Sequence, residues 1–192
     1  MKKIIFASNN QGKIREMKRL LKNYEVIGLK EAGIKIDITE NGKTFESNAL
    51  IKAKEILKYT NEIIIADDSG LCVDALNGFP GILTHRFLGE NATDSERNQY
   101  ILDRLKDLEP KERTAQAITA MAVIKNGIEF VITAELNGKI SNEERGTKGF
   151  GFDPIFEMPG GKTLGEMVPS RKNERSSRKK AIEKLKKHGI LT

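Results

Sequence analysis

Apolar residues along the chain recur with two different periods, and the changes of period outline the elements. Ile4-Ile5-Phe6-Ala7 is a short unbroken apolar run, the mark of a buried strand. The polar turn Ser8-Asn9-Asn10-Gln11-Gly12 follows, and from Lys13 onward Ile14, Met17, Leu20 and Leu21 return at helical spacing. A second helix is expected after Thr44, with Ala49, Leu50, Ala53, Ile56 and Leu57 on one face. A second buried strand, Ile63–Ala66, is expected to stop abruptly at Asp67-Asp68-Ser69-Gly70. Thr93-Asp94-Ser95-Glu96 reads as a capping box, in which the Thr hydroxyl and Glu carboxylate satisfy each other's orphan N–H groups. It opens a helix carrying Ile101, Leu102, Leu105 and Leu108.

The character then changes. Thr114–Lys125 is rich in small and β-branched residues, and Asn126-Gly127 is a two-residue hairpin signal. The return strand from Ile128 alternates as far as Ala134, and a second turn is expected at Asn137-Gly138. A last helix starts near Ser176, with Ala181, Ile182 and Leu185 inward and Gly189 as its C-terminal cap. Strand–helix units, a central hairpin and a closing helix describe an α/β protein with a mixed sheet.

Length and composition narrow this further. The 192 residues suit a single domain spanning 1–192, folded as two lobes around a cleft. Cys72 is the one cysteine, so no internal disulfide forms, and a reducing, cytoplasmic location is expected. The apolar run at the N-terminus is too short for a secretory signal, and no apolar stretch has the length of a membrane span. The net charge of +6 is concentrated: residues 170–188 hold nine Lys/Arg against Glu174 and Glu183. Such a block attracts phosphate-bearing ligands, although a solvated helix face accounts for it equally well.

Three segments carry candidate chemistry. In Ser8-Asn9-Asn10-Gln11-Gly12-Lys13 a strand ends, a polar loop follows and a lysine opens a helix, which is phosphate-binding architecture without the glycine spacing of a P-loop. Asp67 and Asp68 stand where open α/β sheets bind ligands, and neighbours in an extended segment point to opposite faces, so one of the two reaches the cleft. That carboxylate, with Glu40 from the loop before the second helix, could hold Mg²⁺ through hard oxygen ligands. In Gly149-Phe150-Gly151-Phe152-Asp153-Pro154 the rings can stack on a base, and Asp153 can accept from a base N–H. Each segment has a plain alternative: an ordinary strand–helix turn, an Asp-Ser-Gly turn with solvated acids, or two core phenylalanines beside a turn. Together they make a kit for nucleoside polyphosphates with Mg²⁺.

In order along the chain, Ser8-Asn-Asn-Gln-Gly-Lys13, Glu40-Asn-Gly-Lys-Thr-Phe-Glu-Ser-Asn-Ala49, Ala66-Asp-Asp-Ser-Gly-Leu71, Gly78-Phe-Pro-Gly81, Gly149-Phe-Gly-Phe-Asp-Pro154 and Lys172…Ser176-Ser-Arg178 resemble the Ham1-type inosine triphosphate pyrophosphatase family from about residue 4 to 187. The resemblance implies an elongated mixed sheet with flanking helices, two lobes around a nucleotide-binding cleft, and a homodimer. It implies Mg²⁺-dependent cleavage of ITP, dITP and XTP between the α- and β-phosphates. By the same resemblance, Ser8, Asn9, Asn10, Gln11, Gly12 and Lys13 grip the triphosphate, and Glu40 and Asp68 serve the metal. Asp68 is also the base for water, and Ser69 touches the nucleotide. Phe150, Gly151, Phe152 and Asp153 form the base pocket, closed by Lys172, Ser177 and Arg178. The chain departs from the family's usual Ser-His-Arg at Ser176-Ser177-Arg178, and from its Ser-Ala-Arg at Thr84-His85-Arg86, where His85 reads as an exposed loop histidine. Two rival readings are a Maf-type pyrophosphatase with another base preference and a nucleic-acid-binding module built on residues 170–188. The second leaves the acid pair and the aromatic loop unexplained, so neither nucleic acid nor membrane is expected as a partner.

Overall fold

A computed structural model describes residues 1–89 and 91–192. The fold is mixed α/β, with strands β1 (Lys2–Phe6), β2 (Tyr24–Gly28), β3 (Ile63–Val73), β4 (Thr114–Lys125), β5 (Ile128–Ile140) and β6 (Phe156–Glu157) in one sheet of order β2-β1-β3-β4-β5-β6. Helices α1 (Gln11–Leu20), α2 (Phe45–Leu57), α3 (Asp94–Leu105), α4 (Pro169–Arg175) and α5 (Ser177–Lys187) accompany it. β1 pairs in parallel with both β2 and β3, and β5 pairs antiparallel with β6. Among the described residues no helix is long and apolar enough to cross a membrane.

The chain divides into two compact units. The first comprises Met1–Asp68, Thr119–Ala134 and Arg178–Thr192. Its core joins Ile4 and Phe6 of β1, Ile14 and Met17 of α1, Val26 of β2, Ile65 of β3, Met121 and Val123 of β4, and Ala181, Ile182 and Leu185 of α5. Each fully buried Ile, Leu, Val, Met or Phe side chain contributes about 1.5–3 kcal/mol. The second unit comprises Ser69–Ile118 and Glu135–Ser177, with its own core around Leu71, Val73, Ile101, Leu105, Leu136, Ile140 and Phe156.

The caps lie where the sequence places them. Thr44 and Thr93 both form capping boxes, with Ser47 and Glu96. Asn126 (φ 52) and Gly127 (φ 75) give the left-handed pair that a tight hairpin needs. At the end of α5, Gly189 (φ 71) donates to the Lys186 carbonyl and Ile190 to that of Leu185, the paired bonds of a Schellman cap.

Two sequence expectations are corrected, and one helix is added. β3 does not stop at Asp67 but runs to Val73, because Leu71 and Val73 are themselves buried and both aspartates have cationic partners. Asn137-Gly138 is no turn but lies inside β5. A Cβ at Gly138 would come within 2.6 Å of both the Glu157 carbonyl oxygen and the Phe156 ring, so the glycine serves close approach of β6. α4, begun by Pro169 at its first turn, is absent from the apolar pattern because only Lys172 and Asn173 are buried along it.

Candidate active site

In the first unit, β1 delivers the chain to α1 through Ser8, Asn9 and Asn10. Asn10 is the N-cap: its side-chain oxygen accepts from the Lys13 N–H at 3.1 Å, while its own N–H donates to Ser8 Oγ. Asn9, Asn10 and Gln11 are exposed, whereas the Lys13 side chain turns inward and is 8% exposed. Its Nζ lies 3.5 Å from Asp67 Oδ2.

Alternation along β3 gives the two aspartates different neighbours. The same Asp67 Oδ2 accepts from Arg178 Nη2 at 2.5 Å and Nε at 3.2 Å, while Arg178 Nη1 donates to Glu16 Oε2 at 2.6 Å. All four groups are buried, and Asp67 Oδ1 accepts no hydrogen bond among the described residues. Burial by itself pushes the Asp67 carboxyl up, but Lys13, Arg178 and Lys52 outweigh it and hold that carboxyl well below the usual range. For Lys13 burial wins, and its ammonium is shifted down despite Asp67.

Asp68 faces the other way, toward α2. Asn48 Nδ2 donates to its Oδ2 at 3.0 Å, and Lys52 Nζ lies 3.7 Å from its Oδ1. The same Lys52 ammonium is 3.0 Å from Glu40 Oε1, so one cation stands between the two carboxylates. Burial raises the Asp68 carboxyl, Lys52 opposes this, and the charge of Glu40 adds to it. The donor set fits a hard divalent ion: two carboxylates that repel each other already share one positive charge. Among the described residues no group of three or more His, Cys, Asp or Glu is arranged for a metal. Two carboxylates suit an ion that fills its shell with phosphate oxygens and water, as Mg²⁺ does.

The second unit carries the aromatic loop, with Ser69 at the start of that unit on β3 and partly buried. Asp153 is 3% exposed, and its Oδ2 accepts from the Phe150 N–H at 2.7 Å and from Lys172 Nζ at 2.5 Å. Gly149 (φ 86) permits this, since a Cβ there would fall 2.0 Å from Asp153 Oδ2. Lys172 Nζ stands 4.2 Å from the centroid of the Phe150 ring, a cation–π contact that covers part of one face. Phe152 packs on Phe156 beside the unit's core. Ser177 is buried, and His85 is exposed next to Gly151.

Thus Lys13, Glu40, Asp68 and Arg178 belong to the first unit, and Phe150–Asp153, Lys172 and Ser177 to the second. Within the first unit Arg178 is held by Asp67 and Glu16. Sequence reasoning passed over Glu16, Asn48 and Lys52. A signal was available for the last two. They are four residues apart on α2, polar positions within its buried face of Ala49, Ala53 and Ile56.

The sequence pattern of the Ham1 family matches residues 4–188. The chain is 45% identical to the dITP/XTP pyrophosphatase of Clostridium perfringens, covering all of both chains. It is 41% identical to the dITP/XTP pyrophosphatase of Bacillus subtilis, over 97% of this chain and 96% of that one. The solved structure of the Staphylococcus aureus Ham1 protein superposes with a TM-score of 0.85 at 38% identity, covering 97% of each chain. A Ham1 protein from Coxiella burnetii matches equally well, with a TM-score of 0.85 at 38% identity, covering 97% of this chain and 98% of that one. Fold, sequence and solved relatives agree: this chain belongs to the Ham1 family.

Proposed function

We propose that this chain hydrolyses deaminated purine nucleoside triphosphates (ITP, dITP and XTP) to the monophosphate and pyrophosphate, with Mg²⁺ as its metal. The observation that carries the reading is the Glu40–Lys52–Asp68 cluster: two carboxylates across one ammonium, one of them with its carboxyl shifted upward. Relatives named for dITP and XTP supply the substrate class. Assembly as a homodimer belongs to the same reading.

A phosphoanhydride resists water because its negative charge repels the nucleophile. Lys13 and Lys52 offset part of that charge, and polar groups of residues 8–11 donate to phosphate oxygens. Glu40 and Asp68 would hold Mg²⁺, which would supply further charge neutralisation there. Asp68 takes the proton of the attacking water. Asn48 and Lys52 fix the orientation of that carboxylate. The water oxygen bonds to the α-phosphorus, the α–β bridging bond breaks, and pyrophosphate leaves with the electron pair.

Base choice rests with the second unit. Lys172, steered by Asp153 over Phe150, offers a fixed donor suited to a 6-oxo group. Adenine presents an amino group at that position, so the donor would meet a donor and stay unpaired, which is costly. Turnover of ITP, XTP, dITP, GTP and ATP with Mg²⁺ tests the proposal. IMP and pyrophosphate are the expected products from ITP; IDP and free phosphate as primary products would refute it.

A further inference from the structure

The aromatic loop is gripped by side chains that the chemistry above does not use. Gly151 (φ 63) has both backbone polar groups engaged by α3. Its N–H donates to Asp94 Oδ2 at 2.8 Å, and its carbonyl accepts from Asn98 Nδ2 at 3.1 Å. Asp94 and Asn98 are one helical turn apart, so a single face of α3 holds both sides of one residue. Asn98 is itself buried, and its Nδ2 also donates to Glu144 Oε1 at 2.7 Å. The other oxygen of Glu144 accepts from Ser95 Oγ, which ties the chain entering the loop to the same turn of α3.

Packing does not explain the conformation of Gly151. A Cβ there would meet nothing nearer than His85 Cε1 at 4.0 Å, so space is left around it. The two hydrogen bonds to α3 select one conformation for a residue otherwise free to take several. They also tie both Gly151 peptide groups to α3.

We infer that Asp94 and Asn98 are positioning residues for base selectivity: by clamping Gly151 to α3 they present Phe150 and Asp153 in one geometry. The inference rests on reading residues 149–153 as the base site. A loop held by hydrogen bonds on both sides of one residue keeps a pocket that rejects the wrong base, and a slack loop re-forms around it.

Asp94 is the residue to change, because its side chain is 54% exposed and the helix cap itself belongs to Thr93 and Glu96. Asp94→Leu removes the acceptor, while Asp94→Asn keeps an oxygen that can receive the Gly151 N–H. Two readouts apply: amide hydrogen exchange at residues 149–153 without nucleotide, and kcat and KM for ITP and ATP. In Asp94→Leu the Gly151 amide should exchange faster, KM for ITP should rise about tenfold with a smaller change in kcat, and the ITP/ATP ratio of kcat/KM should fall. Asp94→Asn should restore exchange and ratio together. Unchanged exchange in Asp94→Leu overturns the clamp, as does equal impairment in both variants. An unchanged ITP/ATP ratio despite faster exchange overturns its role in selectivity. Failure of the unmodified protein to hydrolyse ITP would sink the proposed function, and the exchange experiment would still decide the clamp.

Discussion

The adjacent aspartates should separate cleanly when each is changed to asparagine. Asp67 lies between Lys13 and Arg178, with Glu16 as the second anion, and the side chains of all four are between 1% and 8% exposed. Two cations face two anions, so Asp67→Asn leaves one positive charge buried without its counter-charge. Removing one partner of a buried pair costs about 3–5 kcal/mol, since the surviving charge keeps its desolvation penalty. For a chain of this size that lowers Tm by roughly 6–20 °C. Replacing Arg178 by Met in the same molecule should recover part of the loss, because the orphaned charge is gone. Asp68 has the opposite sign. Its folded-state carboxyl titrates above its ordinary value, so at neutral pH its ionised form costs stability that was present at low pH and was lost as pH rose through the folded value. Asp68→Asn should therefore leave Tm unchanged or raise it, while kcat falls about 10²-fold or more, the usual scale for a general base. Thermal melts without metal and ITP turnover at saturating Mg²⁺ measure the two effects. A Tm loss in Asp68→Asn equal to that in Asp67→Asn, or near-normal turnover by Asp68→Asn, would refute the assignment.

Gly138→Ala should destabilise the second unit by about 1–3 kcal/mol, because the new methyl would meet the Glu157 carbonyl and the Phe156 ring at the β5–β6 pairing; urea denaturation measures it, and an unchanged midpoint would refute the close-approach argument. Ser177→His should raise the ITP/ATP ratio of kcat/KM, mainly by lowering ATP turnover, since an imidazole would add a second fixed donor to that of Lys172. An unchanged or lower ratio would leave the selectivity with Lys172.

The sequence by itself determined the elements that local chemistry controls. Thr44 and Thr93 start helices because a hydroxyl three residues ahead of the N–H that donates to it is a local device, and Asn126-Gly127 turns because both residues tolerate positive φ. The polar loop at residues 8–13, the acid pair and the aromatic loop were legible as candidates because their residue types carry chemistry wherever they stand. Tertiary structure decided which of those residues meet. Period and propensity place the end of β3 at Asp67, since two adjacent carboxylates oppose a buried strand. Lys13 and Arg178 on one side, and Lys52 and Asn48 on the other, make it possible for the strand to continue. Asn137-Gly138 has the composition of a turn, yet β6 needs the missing side chain for its approach. Glu16 and Arg178 lie 162 positions apart, and no local pattern relates them. A buried charge is permitted only by its partner, and that partner is brought in by the fold, not by the neighbouring sequence.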